Sequence, residues 1–159
     1  MKRPRGIGAI LGCAGVCMLL MASSAWADGN PFVGRWHLNR AQSKAPPGDV
    51  LPADMTADFA RVDAKHVKWS ITVTDAQGRP SVESFDTPAN GEFYPISSDT
   101  TAAFTLNGDT LQGTFKGSAG ETDTLTCSLS EGRRKMTCSG TLARPDEAPQ
   151  SYVDVYDRM

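Results

Sequence analysis

With only two histidines in 159 residues, and only two cysteines outside the first 27, the chain has little from which to build a metal centre. His37 and His66 fall on polar faces of extended segments, with no second histidine or carboxylate at a spacing that closes a site, so the sequence implies no metal and no cofactor. A Gly-x-Ser-x-Gly elbow is missing too, and acidic and basic residues are scattered rather than gathered into an acid/base constellation. An enzyme is therefore not expected. A basic stripe is also missing. After residue 27 the chain has 13 basic and 18 acidic residues, a formal charge of −5, which disfavours a nucleic-acid partner, since such partners are held by counterion release.

Long apolar runs are confined to residues 7–21, which follow Lys2, Arg3 and Arg5 and precede Ala25-Trp26-Ala27. A charged start, a short apolar segment and a small-x-small site describe a cleaved signal peptide. The run is too short and too abruptly ended for a stable membrane span. Gly12-Cys13 has almost no apolar segment before it and Val16 before Cys17 is too large, so neither makes a good lipoprotein site. Cleavage after Ala27 leaves residues 28–159, one domain with a core, in the periplasm or secreted. Cys127 and Cys138 then form the only cysteine pair in an oxidising compartment, where one disulfide is expected.

Alternation dominates what remains. Phe32, Gly34, Trp36 and Leu38 share one face of an extended segment, and Val67, Trp69, Ile71 and Val73 repeat the pattern against polar neighbours. Asn107-Gly108 reads as a two-residue hairpin turn, because both residue types tolerate positive φ. It would set Leu106 opposite Asp109, Phe104 opposite Leu111 and Ala102 opposite Gly113. A second hairpin turning at Gly132-Arg133 sets Leu129 against Met136, Cys127 against Cys138 and Leu125 against Gly140, within disulfide reach. Further strands are expected at 55–62, 80–86, 92–96 and 151–157. Eight to ten short sequential strands without a helix favour an all-β, up-and-down antiparallel barrel, with a two-sheet sandwich as the competing architecture. Between the first two strands, residues 41–54 carry three prolines and a glycine and form a loop that no regular helix spans.

The run Phe32-Val33-Gly34-Arg35-Trp36-His37-Leu38 resembles the first strand of the calycin group, the lipocalins and fatty-acid-binding proteins. Pro31 to Asn39 with Ser43-Lys44 is similar to the opening of small bacterial secreted proteins with lipocalin-like domains. The motif covers about a tenth of the chain after residue 27. The resemblance implies that Trp36 plugs the barrel base beneath a late-strand cation, for which Arg144 is the first candidate and Arg61 the alternative. It also exposes departures. The prolines exclude the helix pair of fatty-acid-binding proteins, and where those place Arg-x-Tyr to anchor a carboxylate this chain has Asp154-x-Tyr156, which would repel a fatty-acid carboxylate.

An interior lined by Phe59, Trp69, Phe104, Leu111 and Phe115 is expected to bind a small apolar ligand, with the widest gap where Ala102 faces Gly113. The alternative for that gap is glycine-permitted coiling of a barrel corner. A rival function is an interaction module with a filled core, similar to periplasmic inhibitors of hydrolases, that uses loop 41–54 against a protein partner.

Overall fold

The computed structural model describes residues 29–159, so the expected leader at 1–27 lies outside the described residues. Ten strands follow one another: β1 (Gly34–Leu38), β2 (Asp54–Asp63), β3 (His66–Thr74), β4 (Pro80–Pro88), β5 (Tyr94–Pro95), β6 (Thr100–Asn107), β7 (Thr110–Gly117), β8 (Thr122–Ser130), β9 (Lys135–Ala143) and β10 (Gln150–Arg158). All pairings are antiparallel, in the order β4-β3-β2-β1-β10-β9-β8-β7-β6-β5. The pairing of β1 with β10 joins the two chain ends and makes an up-and-down barrel rather than a sandwich. Closure is incomplete, because β4 and β5 do not pair and leave a seam.

Period-two patterning accounts for the core. Ala57 and Phe59 on β2, Val67 and Trp69 on β3, Ala102 and Phe104 on β6, Leu111 on β7 and Met136 on β9 are all buried and pack into one cluster. In β2 the register shifts between Phe59 and Arg61. This bulge changes the phase of the strand, so Val62 is buried and Arg61 turns outward to pair with Asp63 at 2.6 Å.

The β8–β9 hairpin has the expected register, and Cys127 and Cys138 form a disulfide with Cα atoms 4.0 Å apart. The β6–β7 hairpin differs by two residues. Asn107 pairs with Thr110, so the turn is Gly108-Asp109, with Gly108 at φ +59° in the first central position, a place that favours glycine. A two-residue slip keeps every side chain on its expected face but changes its partner: Ala102 faces Phe115, and Phe104 faces Gly113. The expected gap at Ala102 and Gly113 is therefore absent. The Phe104 ring lies over Gly113, where an added Cβ would come within 2.9 Å of it. Neither a pocket nor a coiled corner explains that glycine; it makes room for a ring.

Candidate functional site: the barrel interior and its mouth

At one end Trp36 is fully buried, its indole N–H donating to the Phe32 carbonyl at 2.8 Å. The cation above it is Arg158 of β10, with its guanidinium carbon 4.2 Å from the ring centre. Trp36 and Arg158 are register partners, so strand pairing itself stacks them. Arg158 also donates to the carbonyls of Val33 and Arg133, each at 2.9 Å, and to that of Pro31. Gly34, at φ +133°, passes so close beneath this guanidinium that a Cβ would sit 2.6 Å from Nη1. Both fixed residues of Gly-x-Trp thus serve the same arginine: the glycine lets it in and the tryptophan receives it.

Arg144 is not that partner. It follows β9 at the opposite end of the barrel, where it binds Asp49 at 2.6 Å and the Gln150 side-chain oxygen at 3.2 Å. It was in step with the inward face, but the strand carries it away from Trp36. Arg61, the alternative, is turned out by the β2 bulge. What Arg144 does is pin the 41–54 segment over the mouth. Lys44 bridges Val153 of β10, and the Ser43 hydroxyl accepts from the Val155 N–H at 2.9 Å. The prolines prevent a helix here, and the segment instead lies as an ordered strap.

Inside the barrel is a cavity of about 60 Å³. Its walls include all five residues expected to face a ligand, Phe59, Trp69, Phe104, Leu111 and Phe115, together with Ala57, Ile71, Leu125, the disulfide, Asp154 and Tyr156. A ladder of rings crosses the seam: Trp69 to Phe85 with centroids 3.9 Å apart, Phe85 to Phe104 at 5.2 Å, and Phe104 to Phe115 at 5.5 Å. Side-chain contact thus bridges part of the gap that backbone hydrogen bonds leave open. Toward the mouth the seam widens into a groove of about 350 Å³ bounded by Val82 to Phe85 on one side and by Ile96, Ser97 and Thr100 on the other, with Trp69 and Phe115 at its base. Those two rings also line the inner cavity, so they form the wall that the groove and the cavity share.

At the mouth β10 turns its polar residues inward. Tyr152 lies flat on Gly140, its register partner, where any Cβ would collide with the ring. Its hydroxyl is shared between both Asp123 carboxylate oxygens, each at 2.9 Å. Burial raises the Asp123 carboxyl above the usual carboxylate range, opposed by that hydrogen bond. Burial first, and the Asp123 charge second, lift Asp154 to about 6. The buried Tyr156 hydroxyl reaches toward Asp154 and Met55 Sδ, the latter at 3.8 Å. Between these groups and the strap lies a recess of about 260 Å³ walled by Pro46, Val50, Leu51, Pro52 and Leu142.

Reading the sequence left out Asp123, Tyr152, Phe85 and Arg158 as site residues. The available signal was β10 itself, where Tyr152, Asp154, Tyr156 and Arg158 share one face at period two. The two histidines lie outside the barrel interior, His37 on Asp54 at 2.6 Å and His66 on Asp86. No group of three metal-ligating side chains occurs among the described residues.

In its fold such a nearly closed, up-and-down β-barrel, with Trp36 closing one end, resembles calycin barrels. A mutant of the fluorescent protein UnaG is similar to it at a TM-score of 0.55 and 19% identity, over 81% of this chain and 96% of that one. Rv2717c from M. tuberculosis is similar at 0.51 and 13%, over 81% and 93%, and a redesigned β-barrel at 0.51 and 11%, over 81% and 92%. At these identities the likeness is one of fold. By sequence, the chain matches no protein-family model and no curated protein at a significant level.

Proposed function

We propose that this chain is an exported barrel that binds a small apolar molecule non-covalently, acting as a binding protein rather than an enzyme. The observation that carries the reading is the ring-walled cavity inside the barrel, parted by Trp69 and Phe115 from a groove at the seam. A cavity of about 60 Å³ is small beside typical ligand sites of roughly 300 Å³ and above. Any but the smallest ligand must therefore displace Phe85 or Phe115, the partly buried rings at the seam. Export is supported by the leader-like residues 1–27 and by a buried disulfide that suits an oxidising compartment.

Native mass spectrometry of the chain purified from its exporting host tests both halves. The expected result is a chain beginning at Asp28 that carries a mass released on denaturation. A bare chain that also fails to take up the neutral fluorophore N-phenyl-1-naphthylamine overturns the binding reading. Ala57→Leu, which pushes an isobutyl group into the cavity, is expected to weaken fluorophore uptake about tenfold while the fold persists.

A second reading is favoured by one feature of the strap. Val50, 86% exposed, stands on a segment that Arg144 holds in place, which suits a rigid loop presented to a protein partner. Replacing residues 46–51 with a glycine-serine linker would then abolish partner binding and leave the melting temperature nearly unchanged.

A further inference from the structure

The charges that face the interior are distributed unevenly. Asp154 borders the inner cavity and the mouth recess at once, and Asp123 lines the recess beside it. Neither is in an ion pair with any lysine, arginine or histidine among the described residues; the ion pairs all lie elsewhere. Arg158, which shares the face of β10 that carries Asp154, is committed at the far end to Trp36 and three carbonyls. Arg144, at the rim, is committed to Asp49 and Glu147. The mouth therefore combines apolar walls with negative charge that no cation among the described residues neutralises.

The two carboxylates differ in what explains them. Asp123 has a structural task, since it orients the Tyr152 hydroxyl. Asp154 makes no ion pair, and its tyrosine neighbour is divided between it and Met55. A carboxylate partly withdrawn from water without a counter-charge costs stability, and a perturbed acid in a cleft is where function is sought.

We infer that the ligand carries a cationic nitrogen on its apolar body, an alkyl- or arylalkyl-ammonium, whose charged end is held by Asp154 at the mouth while the apolar part enters the cavity. This rests on reading the interior as a binding site and adds the class of molecule that fits it. The ammonium gains a charge-assisted hydrogen bond and the faces of Tyr152 and Tyr156, whereas a carboxylate ligand meets repulsion from two acids.

Acidity sharpens the expectation. Facing Asp154 are Asp123 from β8, Tyr152 and Tyr156 from its own strand, and Met55 from β2; across the recess is Asp49, already paired with Arg144. From β9 come Met136, Leu142 and the disulfide-bonded Cys138, none of which titrates here. Asp154 titrates at about 6, so ammonium affinity falls as pH drops through that value.

The test is calorimetric titration of the full disulfide-bonded chain with octylammonium, octanol and octanoate, below their micellar concentrations and well above the pKa of Asp154. Octylammonium is expected to bind about tenfold tighter than octanol, with octanoate weakest. In Asp154→Asn the ammonium preference should shrink to within about twofold. Octanoate equalling octylammonium on the unaltered chain overturns the inference, as does a folded Asp154→Asn that keeps the preference. Binding of octanol without any ammonium advantage removes the inference and leaves the apolar site standing. Failure of all three probes removes the site as well. If Asp154→Asn does not fold, the three-ligand series on the unaltered chain decides alone.

Discussion

At the plugged end of the barrel a half-buried arginine lies on Trp36 and directs its donors at three backbone carbonyls; at the mouth two carboxylates face apolar walls with no ion-pair partner among the described residues. Both ends place charge in a low-dielectric interior, where an unpaired charge is costly. The first has its compensation within the chain, from residues that strand pairing brings together. The second does not. A charge completed by the fold contributes to stability, and a charge left incomplete is where a further molecule can complete it.

This contrast predicts that changes at the plugged end cost more stability than changes at the mouth. Trp36→Ala, which empties the most enclosed large side chain and leaves Arg158 over a void, is expected to destabilise by about 3–5 kcal/mol in urea unfolding. A loss of only a few tenths would mean that the indole is not the plug. Removing the disulfide with a Cys127→Ala/Cys138→Ala pair is expected to cost about 2–4 kcal/mol. Because both sulfurs border the cavity, the pair should also weaken binding of an apolar probe, which Trp36→Ala in a still-folded population should not. Arg158→Met keeps the aliphatic contact with Trp36 but leaves three carbonyls without their donor, for about 2 kcal/mol. Arg144→Met is the control that separates the two arginines. It should release the strap with a loss of about 1 kcal/mol or less and a marked rise in hydrogen exchange across residues 45–52.

Much of this barrel was legible because its strands are half-buried and alternate, and because the turn residues fall where the pattern breaks. The β8–β9 register could be read directly, since the turn and the facing cysteines agree. The β6–β7 register slipped by two because Asn-Gly fits either of two adjacent turn frames and both keep the faces inward, so alternation cannot choose between them. The five cavity residues followed from the inward face. Arg158 did not, because Arg144 and Arg61 fall in the inward phase of β9 and β2, and a bulge alters the latter. On β10 the pattern is inverted: Tyr152, Asp154 and Tyr156 fall on the inward face while Val153 and Val155 fall on the other, and residues 39–44 hydrogen-bond along that strand. A rule that places apolar residues inside assigns this strand the wrong face, and the inverted strand is the one that carries the candidate site.

The smallest expected effect has the opposite sign, and it distinguishes the two ends most sharply. Asp154 titrates at about 6 in the folded chain against 3.8 for the free group. Between those values the folded state holds a proton that the unfolded state has released. Folding is thus favoured by protonated Asp154 at low pH, and this contribution is lost as pH rises through about 6. Asp154→Asn removes the charge and keeps the shape, so it should stabilise the protein at neutral pH. With the group partly open to water, about 1 kcal/mol is expected after allowance for solvent screening. Melting temperatures of the two proteins should coincide below pH 3.8, diverge as pH rises from there to about 6, and stay apart above it, with the variant higher. Adding an ammonium ligand should reverse the order by stabilising only the chain that retains the carboxylate. If Asp154→Asn is destabilising at neutral pH, the carboxylate is already compensated within the fold, and the mouth is as complete as the plugged end.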